Sequence, residues 1–466
     1  MQPALDQASI PWRFYVALTL AAFVASAGIT VIYSMLATLY REFPGAEGVG
    51  WVVTVYWLAS AVAAAVGGRF GDLLGRQRTM LVVLACCVVG ATVSAFAPGL
   101  PLLIAGCTLQ GIAGVITPLS YGLVRENLHD KYIPMAIGLI VTAGMIGAGA
   151  IYLLSGVVID HYSWQGGFWF KVVLAAVTLV LVWRWVPDTR PHPGPKLDLL
   201  RGLLFVPGLC AILVAVQKMG AWGVGDPRIA GLIGGGLVVL AIWGRLQWQA
   251  DHPLINVRSL VERRVLIANA CMMFLALGGL QLGQVFSLFF QQPTATGTGL
   301  GYTATVAGGI MFMLNISALL GGPLSGRIAG RFGPRATLLV GMGVLAVAWG
   351  SLMAWHGDAR VVLGQAVFCS LGLAIAQGGI YNVIIAATPR ERTGEATGLT
   401  YVFLACFFAV GAQCLFALLA TDTVVAPVAG PGTFPSGLAF GRSFGFVSAM
   451  SVAAFLTALA LPRGRA

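Results

Sequence analysis

The chain carries few groups able to do chemistry, and their positions matter more than their number. One set is a compact turn, Gly68-Arg69-Phe70-Gly71-Asp72-Leu73-Leu74-Gly75-Arg76-Gln77-Arg78, where glycines punctuate an acid and several arginines. Asp72 is suited to accept from the unpaired N–H groups at a helix N-terminus, and the helix beginning near Gly394 and Glu395 starts on the same membrane face. Arg76 and Arg78 can pair with acids or lipid headgroups. A weaker copy returns as Gly326-Arg327-Ile328-Ala329-Gly330-Arg331-Phe332-Gly333-Pro334-Arg335. Glycine lets two helices turn tightly and pack closely. Gly68, Asp72, Gly75, Arg76, Arg78, Glu395, Gly326 and Gly333 are therefore candidate gating residues, and the duplicated turn implies two helical halves that move against each other.

A second set is neutral. Tyr33, Tyr56, Gln110, Tyr152, Gln281, Gln284, Asn315, Gln377 and Asn382 fall within or near apolar segments and are candidate substrate-binding residues. Such side chains can line a cavity for an uncharged or amphipathic molecule. Their competing use is hydrogen bonding between helices, worth about 0.6 kcal/mol per bond. Lys171 joins the set as the cation placed inside an apolar segment. Two uses are open for it: its long stem can carry the ammonium to the headgroups, or it can hold an anionic part of a substrate or a counterion.

None of the 16 acids falls at the middle of an apolar segment. A charge at that depth costs at least about 2.5–3.5 kcal/mol and is kept for function. Proton exchange must then fall to edge groups, with Asp160, His161 and Glu395 the candidates. No paired acids, histidine cluster or nucleophile–base set occurs at membrane depth, which argues against an intramembrane enzyme. No metal or cofactor is expected. All eight cysteines lie in apolar segments and read as small core residues.

The elements that must position these groups are membrane helices. Of 466 residues, 58% are hydrophobic and 9% charged, and mean hydropathy is +0.89. A soluble protein carries about a quarter charged residues. The run from Phe14 to Leu39 is too long for a signal sequence and reads as a first span, despite Ala25-Ser26-Ala27. Apolar windows give fourteen spans in a 6+2+6 arrangement. The halves occupy 1–190 and 263–466, with a two-helix membrane linker over 191–262. With both termini in the cytoplasm, Arg and Lys collect on the inside, leaving Arg41, Lys171, Lys218, Arg228, Arg360 and Arg442 toward the other face. The net charge of +11 is spread singly or in pairs over segment ends, as headgroups select, and argues against nucleic acid as a partner. The expected setting is a bacterial inner membrane, with lipid and a small-molecule substrate as partners and the protein a monomer.

At Gly68, Asp72, Gly75, Arg76 and Arg78 the chain resembles the major facilitator superfamily, and within it the fourteen-span drug:proton antiporters. Trp51-Val52-Val53-Thr54-Val55-Tyr56, Asp160-His161-Tyr162-Ser163-Trp164-Gln165, Pro253-Leu254-Ile255-Asn256-Val257 and Gly394-Glu395-Ala396-Thr397-Gly398-Leu399 extend the resemblance over nearly the whole chain. It implies an all-α fold of two pseudo-symmetric six-helix bundles and multidrug export by alternating access, coupled to proton antiport. The departures bear on coupling. Leu73 stands where the family has arginine, Ala27 where it has the span-one acid, Cys107 where it has the span-four arginine, and Ile151-Tyr152 where it has Gly-Pro. A lipid or metabolite exporter without standard coupling, or a transport-dead sensor, fits the same pattern.

Overall fold

A computed structural model describes residues 12–43, 48–129, 132–188, 198–223, 225–251, 253–388, 393–425 and 433–462. Among them 14 helices are long and apolar enough to cross a membrane. The first half holds α1 (Trp12–Glu42), α2 (Val49–Leu74), α3 (Arg76–Ala95), α4 (Leu100–Asn127), α5 (Met135–His161) and α6 (Trp164–Trp185). The linker pair is α7 (Leu200–Trp222) and α8 (Pro227–Gln249). The second half holds α9 (Arg263–Gln291), α10 (Ala304–Phe332), α11 (Pro334–Ala354), α12 (Ala359–Ala387), α13 (Ala396–Leu419) and α14 (Gly437–Leu459). A short antiparallel hairpin, β1 (Thr423–Val425) and β2 (Thr433–Pro435), joins the last two helices.

Local chemistry starts and stops these helices where the sequence places its breaks. Asp226 and Asp358 accept from the backbone N–H of Arg228 and Arg360, each at 2.8 Å, and cap α8 and α12. Pro101, Pro227 and Pro334 sit in first turns, where the missing N–H costs nothing. Gly75 (φ 92°) and Gly333 (φ 85°) end α2 and α10 in the left-handed region and start α3 and α11. The two turns therefore share backbone geometry as well as sequence, and they define one end of the molecule, here the motif end. The opposite end is the far end. Two spans are interrupted: α4 by a 3-10 turn at Ile112–Val115, and α9 by another at Gly279–Gln281.

The halves meet along two seams. On one, α5 packs on α10. A Cβ at Gly156 would lie 2.2 Å from the Ala304 carbonyl, and one at Gly308 2.3 Å from the Tyr152 carbonyl. Further along α5, Gly149 meets Phe312 and Asn315 of α10, while Gly144 and Gly147 face Ser26 and Phe23 of α1. The other seam, α2 on α13, stays closed over its length, from Gly50 against Phe416 to Ala65 in a cluster with Leu399. The linker helix α7 lies over this closed seam, with Leu209 and Leu213 against Trp51, Trp57 and Leu58 of one half and Cys406, Ala409 and Val410 of the other. The buried core mirrors this geometry. One cluster runs through both halves, while a second, from Phe14 to Val186, belongs to the first half alone.

Candidate functional site

The motif turn fastens the first half to itself. Arg76 pairs with Asp72 at 3.3 Å and with Glu126, at the end of α4, at 3.0 Å. Arg78 pairs with Asp188, beyond α6, at 2.7 Å. Asp72, expected to reach the start of α13, has Arg76 as its ion-pair partner here. The side chain of Glu395 lies outside the described residues. Gln77, not singled out from the sequence, donates to the Val186 carbonyl at 2.9 Å, where α6 ends. In the weaker copy the position two residues past the turning glycine is Arg335, which donates to the Leu459 carbonyl at the end of α14, 2.8 Å away. Each turn thus ties down the sixth helix of its own half. The repeat offset could have revealed Gln77. Gly68 and Gly326 are alike too, each with nothing near its Cβ position.

The far end is closed by side chains reaching across. Asp160, at the end of α5, accepts from the backbone N–H of Ala304 at 3.1 Å and of Thr305 at 2.7 Å, the first turn of α10. The geometry makes Asp160 a cap spanning the two halves. Its neighbour His161 is exposed and bonds its own helix at the Val157 carbonyl, 2.9 Å. Ser287 and Gln291 of α9 donate to the backbone carbonyls of Tyr33 and Ser34 on α1, at 2.6 and 3.2 Å. Tyr33 and Tyr152 close around Gly283, where a Cβ would meet Tyr152 Oη at 2.5 Å. No sequence signal marks Ser287 or Gln291, because their partners are backbone atoms distant along the chain.

The neutral polar set divides. Gln110 donates to Ser94 Oγ and the Gly106 carbonyl inside the first half. Gln281 donates to the Phe408 carbonyl at 3.0 Å and Gln284 to that of Ala412 at 3.5 Å, stitching α9 to α13. These amides serve helix packing. Tyr56 donates to the Ala25 carbonyl, while Tyr33 Oη accepts from Trp57 Nε1. Asn315 is half-buried and donates to its own helix at the Met311 carbonyl. Gln377 and Asn382 on α12 are half-buried as well. Tyr381, between them, lies within electrostatic reach of Tyr401 on α13 and Tyr121 on α4. Tyr401 in turn touches Ser60 Oγ of α2 at 3.2 Å. Tyrosine hydroxyls of both halves thus come near one another around α12 and α13.

Lys171 reaches no headgroup. It is 5% exposed, and its Nζ donates to the Gly28 carbonyl of α1 at 2.9 Å. The snorkelling expectation fails because α1 packs directly on this face of α6 and offers an acceptor. Its neighbours Val24, Ala27, Cys87, Gln110 and Ala113 all belong to the first half. A separate cavity of about 610 Å³ lies at the far end, lined by Arg41, Gln217, Gln291, Gln292, Gln413 and Phe434 among others. The linker helix α7 contributes Gln217 to it, which the sequence analysis did not anticipate.

Two six-helix units that meet on a pair of seams and are bridged at the far end have the architecture of a membrane transporter of the two-bundle kind. Residues 18–412 match the Major Facilitator Superfamily, and the chain belongs to it. It is 25% identical to the tetracenomycin C resistance and export protein of Streptomyces glaucescens, over 90% of this chain and 78% of that one. It is 26% identical to the uridine/deoxyuridine transporter of Lactococcus lactis subsp. cremoris, over 88% and 87% of the two chains. A crystal structure of a D-xylose–proton symporter superposes with a TM-score of 0.70 at 15% identity, covering 98% of this chain and 99% of that one.

Proposed function

We propose that this transporter exports a small amphipathic, drug-like molecule across a bacterial inner membrane by alternating access, in exchange for protons. The observation that carries the reading is the bridged far end: Asp160 of α5 caps α10, and Ser287 and Gln291 of α9 hold the Tyr33 and Ser34 carbonyls of α1. A far end held shut in this way leaves the motif end for ligand entry, and rocking of the halves would move the opening to the other side. With both termini in the cytoplasm, the motif end faces the cell interior. A site formed by Tyr381, Gln377, Asn382 and Tyr401 would suit a molecule with hydrogen-bonding groups and no need of a countercharge. The tetracenomycin relative supports export; the uridine relative supports transport without fixing its direction.

A second reading, export of a lipid or lipid-like metabolite without standard coupling, is favoured by Ala27 and Cys107, which stand where the family carries an acid and an arginine. Everted membrane vesicles separate the two. Loaded with Hoechst 33342, they should lose membrane fluorescence on energisation when the protein is present. Movement of a fluorescent phospholipid but of no soluble dye would favour the second reading, and movement of neither would overturn both.

A further inference from the structure

Among the described residues Lys171 is the one charged side chain that is buried. Among those residues no carboxylate lies within ion-pair distance of it. An ammonium in a span without a countercharge is expensive, and a group kept at that cost has a use. Two further features mark the place as built. Nζ stands 5.2 Å from the Phe168 ring centre, which favours a cation over its face. Beside it lies a cavity of about 10 Å³, bordered by Lys171, Gly28, Cys87 and Gln110. That is room for about one water. Gln110 is 1% exposed, and its Oε1 has no partner. A water there can accept from Lys171 and donate to Gln110.

We propose that Lys171 is the proton-exchanging group of the transport cycle, a role that rests on the transporter reading above. The step balances simply. The ammonium passes one H⁺ to water through the small cavity and becomes a neutral amine. It regains one H⁺ from water on the other side of the membrane after the halves have rocked. The amine still carries N–H groups, so the bond to the Gly28 carbonyl survives both states and only the charge changes. The ionisable groups facing Lys171 are the thiols of Cys87 on α3 and Cys107 on α4; α1 presents the Gly28 carbonyl, and α5 presents no ionisable group to it.

The path to the far-end seal is short. About one and a half turns beyond Gly28, the Tyr33 and Ser34 carbonyls of α1 hold Ser287 and Gln291 of the second half. Ser34 Oγ also accepts from Ser155 of α5 at 2.8 Å. A change of charge at Lys171 therefore bears on the segment of α1 that helps close the far end.

The chain has only four lysines, Lys131, Lys171, Lys196 and Lys218. Protein labelled with ¹⁵N at lysine Nζ, in lipid nanodiscs, therefore gives a signal for Lys171 that is identified by its absence in Lys171→Met. That signal should move from the ammonium to the amine position as pH is raised over the range in which the protein stays folded; an invariant signal overturns the proposal. In proteoliposomes containing pyranine, Hoechst 33342 flux should be accompanied by proton movement in the wild type. Lys171→Arg keeps the charge but cannot release its proton. Proton movement per Hoechst 33342 carried should be lost in Lys171→Arg and Lys171→Met. Proton movement undiminished in Lys171→Arg overturns the proposal. So does wild-type dye flux without protons, which leaves the transporter reading standing. Absence of dye flux in the wild type counts against the transporter reading instead, and the nanodisc titration still decides Lys171.

Discussion

Replacing Asp160 by asparagine should loosen the far end without unfolding either half. The carboxylate reaches from α5 to two N–H groups in the first turn of α10, at 3.1 and 2.7 Å. Asparagine keeps the shape and a neutral acceptor but loses the charge that the helix terminus attracts. Hydrogen bonds to charged groups contribute about 1.5–3 kcal/mol when buried, and an exposed acid at a helix N-terminus about 0.3–1 kcal/mol. Asp160 is exposed, so the lower figure governs, and the net loss is about 1 kcal/mol. In a two-state equilibrium between far-end-closed and far-end-open forms, that is about a fivefold shift. Double electron–electron resonance can read it with spin labels at Tyr162 and Leu438, which are 84% and 57% exposed on opposite halves. The eight native cysteines are replaced first. The long-distance population should grow about fivefold in Asp160→Asn. Identical distance distributions for the two proteins would refute the argument that this cap holds the halves together.

Other expectations concern the turns and the seal. Gln77→Leu removes the bond to the Val186 carbonyl and should lower stability by about 1–2 kcal/mol, read as an earlier rise in thiol-dye fluorescence when the buried cysteines are exposed by heating. Gly75→Ala forces a side chain into φ 92° and should cost about 1 kcal/mol in the same melt, whereas Gly68→Ala, with nothing within 4 Å, should leave the midpoint unmoved. Gly283→Val drives a side chain into Tyr33 and Tyr152, and should shift the same spin-label distances toward the far-end-open form.

Hydropathy made the spans legible because a membrane helix must satisfy its backbone internally and run about 20 apolar residues. The duplicated turn was equally legible, since Gly75 and Gly333 carry the same positive φ for the same steric reason. Which faces meet was not. Asp160 read as a proton-coupling candidate because an acid near a span end has several uses, and only the approach of α10 makes it a cap. Lys171 read equally well as a snorkelling residue until α1 was seen to offer the Gly28 carbonyl. Gln281 and Gln284 are amides in an apolar segment whether they face a cavity or a neighbouring carbonyl, and the pattern along one helix cannot separate the two. The linker helices could be counted from the sequence, but their place over the α2–α13 seam depends on long-range packing around Leu209 and Leu213.

The central claim, that the halves must part at the far end for transport, is tested most directly by fixing them there. Leu153 of α5 and Gly309 of α10 face each other with 3.9 Å between the Leu153 side chain and a Cβ at Gly309. In a cysteine-free background, Leu153→Cys with Gly309→Cys can be joined by a short bis-methanethiosulfonate, and Hoechst 33342 export followed in everted vesicles. The account predicts that cross-linking abolishes export and that reduction restores it, while either single variant is unaffected by the reagent. Export continuing at the uncross-linked rate with the halves joined would contradict it.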